Sequence, residues 1–217
     1  MTTDNRLSIV IAVHDQANEI EQNLERFLTQ PCEEGCEVEV IVVDDSSTDN
    51  TPDVLTQMKN RYPQLYTTFL PKSVVFNPSR LQLALSVGVK AAKSQWVVLA
   101  DISRPPLTED WLKGLQQQAA RGGEVMMSYS DKKHNSVYYQ TWQTLDDAAP
   151  LIRKAERRPG NGHQGKWKKF RRGLYDAVAV RKDCVHDAVR LFDKDFSSYA
   201  LWKLRWQVWW RNTDNCA

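Results

Sequence analysis

Short apolar runs alternate with amphipathic stretches of helical period through residues 7–129, and three of those runs end on acids. Leu7-Ser8-Ile9-Val10-Ile11-Ala12-Val13 is the first such run; an apolar, β-branched segment of this kind suits a strand buried on both faces. A helix is expected over residues 18–29, with Ile20, Leu24, Phe27 and Leu28 turned inward. Residues 38–43 predict a second strand, which stops at Asp44-Asp45-Ser46-Ser47-Thr48. After it, Thr51 suits an N-cap, Pro52 the first helical position and Asp53 the positive end of the helix dipole, and Pro63 closes that helix. Further strands are expected at residues 66–70, 96–100 and 125–129. Helices are expected from Asn77-Pro78, with a small inner face of Ala84, Gly88 and Ala91, and from a Thr108 cap with Glu109 and Asp110 in the first turn. Strand–helix alternation of this kind predicts an α/β fold, a mostly parallel central sheet flanked by helices on both sides. Such sheets bind ligands beyond the carboxyl ends of their strands, where the strand order reverses. Those ends are Val13-His14-Asp15, Asp44-Asp45-Ser46 and Asp101-Ile102-Ser103.

The second half is less regular. Residues 132–175 give no strand signal, residues 177–181 read as a strand, and residues 198–211 read as a helix. Two hundred and seventeen residues are expected to form one domain over 1–217, with a ligand-binding half at 1–115 and an irregular half at 116–217. Apolar residues at 41% and charged residues at 26% exclude a disordered chain. No apolar run approaches the roughly 20 residues of a membrane span, and the opening MTTDNR carries an acid where a secretory leader needs positive charge. A cytoplasmic location is expected. Cys32, Cys36, Cys184 and Cys216 form no zinc pattern and are expected to be reduced thiols.

One glycine motif is a decoy. Gly160-Asn161-Gly162-His163-Gln164-Gly165-Lys166 matches G-x-G-x-x-G, but no strand precedes it, and Trp167 stands where a phosphate-binding loop needs Ser or Thr. The first β–α turn holds no glycine, which argues against a dinucleotide-binding dehydrogenase. The four histidines are scattered, and no Ser, His and acid set points to acyl transfer.

Acids converging on one cleft repel unless a cation or a hydrogen-bond donor meets them. A divalent metal bound to a diphosphate is one solution, with carboxylate oxygens on one side and phosphate oxygens on the other. The plain alternative for Asp44 to Asp49 is a turn held by Asx and Ser side chains.

LSIVIAVHDQANEI, VIVVDDSSTDNT, LALSVGVKAAKSQWVVLADIS and TEDWL, in this order and spacing, resemble the N-terminal half of family-two glycosyltransferases of the GT-A fold, over about residues 7–115. The resemblance implies the GT-A architecture, with an acceptor-side C-terminal half. It implies that Ala12, Val13, His14, Asp15, Asp44 and Asp45 hold the nucleotide of a sugar donor, usually a uridine or guanosine diphosphate sugar, with Asp45 accepting from the base. Asp101 falls on the first acid of the family's D-x-D metal motif, which implies a divalent metal, Mn or Mg. Leu85 stands where the family often has an arginine, and Arg80 is the candidate replacement. Ser103 replaces the second acid of D-x-D. Residues 177–181 and 191–196 resemble the stretch before the family's catalytic acid, and the expected Glu-Asp pair then falls on Ser198 and Tyr199.

An inverting transferase needs a carboxylate to take the acceptor hydroxyl's proton, and loss of that base costs about 10² to 10⁴ in rate. Asp193, Asp195 and Asp131 are the replacement candidates, in that order, against the plain reading of each as a solvated surface carboxylate. The reading is therefore transfer of a sugar from a UDP-linked donor to a glycan or lipid-linked acceptor, with a degenerate nucleotide-sugar-binding module as the alternative.

The net charge of +2 conceals a local imbalance. Residues 151–172 hold nine Lys or Arg against Glu156 alone, a local +8 that leaves the other 195 residues at −6. Within this expected loop, Lys166-Trp167-Lys168-Lys169-Phe170-Arg171-Arg172 interleaves aromatics with cations. Three readings stand: peripheral contact with an anionic inner membrane surface, neutralisation of a diphosphate, and a solvated loop. The acidic cleft argues against nucleic acid. Tyr199, Trp202, Trp206 and Trp209-Trp210 recur at helical spacing, a stripe that suits core packing ahead of membrane contact.

Overall fold

The computed structural model of the chain describes residues 6–32, 36–72, 80–148 and 176–189. The expected basic loop at 151–172, the aromatic stripe, Asp193, Asp195, Ser198 and Tyr199 lie outside the described residues.

Strands β1 (Leu7–Val13), β2 (Val38–Asp44), β3 (Leu65–Phe69), β4 (Trp96–Ala100), β5 (Val125–Asp131), β6 (Ser136–Trp142) and β7 (Ala177–Arg181) form one sheet in the order β3-β2-β1-β4-β7-β5-β6. The strands β1 to β4 pair in parallel, while β7 runs antiparallel to both β4 and β5. The expected mostly parallel sheet is present, and the chain reverses its strand order between β1 and β4. Helices α1 (Ala17–Leu28), α2 (Thr51–Arg61), α3 (Arg80–Ala91) and α4 (Trp111–Ala119) connect the strands of the first part of the chain.

Alternation of side chains along the central strands divides the core into two layers. Ile9, Ile11 and Val13 of β1 face a layer with Leu24 and Phe27 of α1, Val54 and Leu55 of α2, and Trp111 and Leu115 of α4. Val10 faces the other layer with Ile41, Val43, Ala84, Leu85 and Val89. Gly88 lets α3 lie close on the sheet: a Cβ there would stand 2.4 Å from Val10 Cγ1 and 3.2 Å from Val43 Cγ2.

The structure corrects three local expectations. Residues 136–142 form β6, although the sequence gives no strand signal there. It is an edge strand with Tyr138 58% exposed, so it lacks the continuous apolar run that marks a central strand. Its hairpin turns at Asn135, whose φ of 47° lies in the left-handed region that Asn tolerates. Thr51 is the first residue of α2, not its cap: Asn50 precedes the helix, and Thr51 is fully buried. The acids Glu109 and Asp110 precede α4, which starts at Trp111. Burial fixes that start, because the Trp111 indole packs edge-on against Phe27 and donates to Ser128 Oγ at 3.0 Å.

Candidate functional site

The carboxyl ends of β2, β1 and β4 meet at the point where the strand order reverses. Backbone bonds join them first. The Asp45 N–H donates to the Val13 carbonyl at 2.8 Å, and His14 Nδ1 meets the Asp45 carbonyl at 2.6 Å. That contact makes Nδ1 the protonated nitrogen, since a carbonyl can only accept. Ala12 packs half-buried against the α3 layer, and Val13 is buried in the other.

Asp15 has φ 50° and uses its carboxylate to order the next strand's loop. Its Oδ1 accepts from the N–H of Thr48 at 2.6 Å and of Asp49 at 3.3 Å. Asp44 is nearly buried, and its Oδ1 accepts from the Ser47 N–H at 3.0 Å and the Ser47 hydroxyl at 2.5 Å. Both carboxylates therefore bind the same loop backbone, Asp44 locally, as Asp side chains do in turns, and Asp15 from the end of the neighbouring strand. Asp49 accepts from the N–H of Ala17 at 3.1 Å and of Thr51 at 2.9 Å, tying the starts of α1 and α2 together. Burial opposes ionisation of Asp49, but the hydrogen bonds from Thr51 and Ala17 hold its carboxyl below the usual aspartate value.

Asp45 is engaged differently. Arg80, the first residue of α3, pairs with it through Nη2 and donates from Nε to Oδ1 at 2.7 Å. The same guanidinium donates to Ser46 Oγ at 2.9 Å and to the Pro71 carbonyl at 3.0 Å. The side chains of Arg80 and Asp45 are 19% and 17% exposed, so the pair is shielded yet reachable from the cleft. Leu85 is fully buried under the sheet.

Asp101 follows the last residue of β4. Its Oδ1 accepts from the Ser103 N–H at 2.9 Å and its carbonyl from the Arg104 N–H at 2.9 Å, a tight turn that presents Ser103. Gln16 Nε2 donates to Ser103 Oγ at 3.3 Å, bridging the ends of β1 and β4. Nothing in the sequence marks Gln16 except its place after Asp15. Asp131 ends β5 and meets His134 Nδ1 at 2.6 Å across the hairpin.

Asp176 was not legible in the sequence. It stands one residue before Ala177, which pairs with Ala100, and its N–H donates to the Ser128 carbonyl at 2.8 Å. Its Oδ2 is buried and makes no hydrogen bond. No signal marked it, because only the pairing of β7 with β4 brings it to this edge.

Among the described residues no three His, Cys, Asp or Glu side chains gather as a metal cluster. Asp101 and Ser103 offer hard oxygen donors, and the orphaned Asp176 oxygen lies at the same edge. Few protein oxygens completed by phosphate and water suit magnesium-like ions, so these residues fit a divalent cation held jointly with a diphosphate.

Residues 8–195 match the family described as Glycosyl transferase family 2. Uncharacterized proteins of Mycobacterium tuberculosis and Mycobacterium bovis are 33% identical over 95 residues, which cover 44% of this chain and 26% of theirs. A mannosyltransferase from Pyrobaculum calidifontis, solved in complex with GDP-Man and Mn2+, superposes with a TM-score of 0.55 at 18% identity, over 86% of this chain and 47% of that one. The chain thus spans about a quarter of the curated relatives and about half of that solved structure. It belongs to glycosyl transferase family 2 and has the GT-A fold.

Proposed function

We propose that this chain transfers a glycosyl unit from a nucleoside diphosphate sugar, UDP-linked, to a glycan or lipid-linked acceptor, with inversion and with a divalent metal. The observation that carries the reading is the shielded Asp45–Arg80 pair at the strand-order reversal, opposite Asp101 at the end of β4. Asp45 would accept the imino N–H of the base, and Arg80 fixes that carboxylate by holding Oδ1. The ends of β2 and β4 are separated by β1, so Asp45 and Asp101 stand roughly 10 Å apart by ordinary strand spacing. A base at one end and a diphosphate at the other suit that separation. Asp101 and Ser103 would hold the metal, which when bound offsets charge on the departing diphosphate. The base would come from Asp193 or Asp195. The protein as a single domain over 1–217, with its acceptor half after residue 115, belongs to the same proposal.

Ser103 in place of a second acid favours one other reading, a nucleotide-sugar-binding module without turnover. Calorimetric titration with UDP and with GDP, each with and without manganese, tests what the two readings share. Binding of neither nucleotide would sink both. Donor hydrolysis separates them: the native chain should exceed Asp101→Ala, and equal background rates leave only the binding module. Asp45→Ala should abolish nucleotide binding with the circular dichroism spectrum retained, and unchanged affinity would contradict the base contact.

A further inference from the structure

Asp101 and Asp176 occupy matched places on adjacent strands. The β4–β7 ladder ends with Ala100 opposite Ala177, Asp101 follows the first and Asp176 precedes the second. In an antiparallel pair, the next step outward sets these two residues across from each other. Strand alternation also assigns the face. Ala100 and Ala177 lie in the layer of α1, whereas Leu99 and Val178 lie in the layer of α3. Asp101 and Asp176, one step further, take the α3 side, on which Arg80 holds Asp45. The Asp176 N–H bond to the Ser128 carbonyl keeps Asp176 in the ladder with β5.

Two carboxylates directly opposite each other on neighbouring strands are destabilising. Here one of them also has a buried oxygen, Asp176 Oδ2, without a hydrogen-bond partner. A buried, unsatisfied polar group costs about 1–3 kcal/mol, and more when charged. A cation between the two carboxylates removes both the repulsion and the orphan.

We propose that Asp176 is the second carboxylate of a divalent cation site, reaching from β7 to the ion that Asp101 holds from β4. This rests on the nucleotide-sugar reading above and deepens it. The Asp101-Ile102-Ser103 segment supplies one carboxylate and one hydroxyl, and the missing acid is restored from a different strand.

Electron paramagnetic titration of Mn2+ into the native chain, with and without UDP, tests this directly, and calorimetry follows UDP in the absence of metal. Asp176→Asn should weaken Mn2+ binding at least tenfold in the presence of UDP and leave metal-free UDP affinity unchanged. Asp176→Ser serves the same comparison at smaller volume where the amide variant fails to fold. Adding Ser103→Asp to Asp176→Asn should recover Mn2+ affinity, a rescue that a merely structural role for Asp176 would not give. Native Mn2+ affinity in both Asp176 variants overturns the proposal. A native chain that binds no UDP or GDP, yet loses Mn2+ on Asp176→Asn, keeps the cation site and discards the donor reading.

Discussion

At the scale of single residues, the carboxylates of the cleft divide by what they already hold. Asp15, Asp44 and Asp49 spend their oxygens on loop N–H groups and a serine hydroxyl, so they shape the cleft. Asp45 is held by a cation instead, and that cation also clasps Ser46 and Pro71. Arg80→Ala should therefore cost about 1–2 kcal/mol in chemical denaturation, the scale of charge-assisted bonds at a partly shielded site. A loss below a few tenths would mean that the pair is too well solvated to matter. Asp131 carries a pH prediction. The hydrogen bond from His134 holds its carboxyl below the usual aspartate value, aided by the N–H groups of Lys133 and His134. A depressed carboxyl contributes stability above its unfolded value of about 3.9 and loses it as pH falls through the lower folded value. His134→Ala should raise the Asp131 midpoint toward the ordinary value in a carboxyl-carbon NMR titration, and an unmoved midpoint would reject the hydrogen bond as the cause.

At the scale of elements, close approach governs α3. The contact of Gly88 with Val10 leaves no room for a methyl group, so Gly88→Ala should cost about 1–3 kcal/mol by overpacking. Urea denaturation measures it, and a stabilised variant would show that α3 can lift away freely. This position was legible, because Ala84, Gly88 and Ala91 mark a small face at helical spacing. So were β1, β2 and β4, whose continuous apolar runs reflect burial on both faces. Edge and boundary features were not. The exposed strand β6 mixes Ser, Tyr, Gln and Thr with apolar residues because one side needs no burial. The start of α4 follows the burial of Trp111 against Phe27, a contact between elements far apart in sequence.

At the scale of the whole molecule, charge and connectivity set what the chain can meet. No helix among the described residues is long and apolar enough to cross a membrane. The +8 segment at 151–172 is nevertheless suited to an anionic surface, where each basic residue contributes about 1 kcal/mol. The chain should float with phosphatidylserine-containing liposomes and sink with neutral ones, and indifference to lipid charge would reject the membrane contact. The sequence by itself determined the α/β alternation, the motif set of the family and the acids that end β1, β2 and β4, since burial pattern and strand ends are written locally. Only the tertiary structure decided that Arg80 closes on Asp45 and that β7 enters antiparallel between β4 and β5. Strand order and register are pairings between distant segments, and no local pattern encodes them. That insertion is what sets Asp176, silent in the sequence, one residue before the Ala177 that pairs with Ala100.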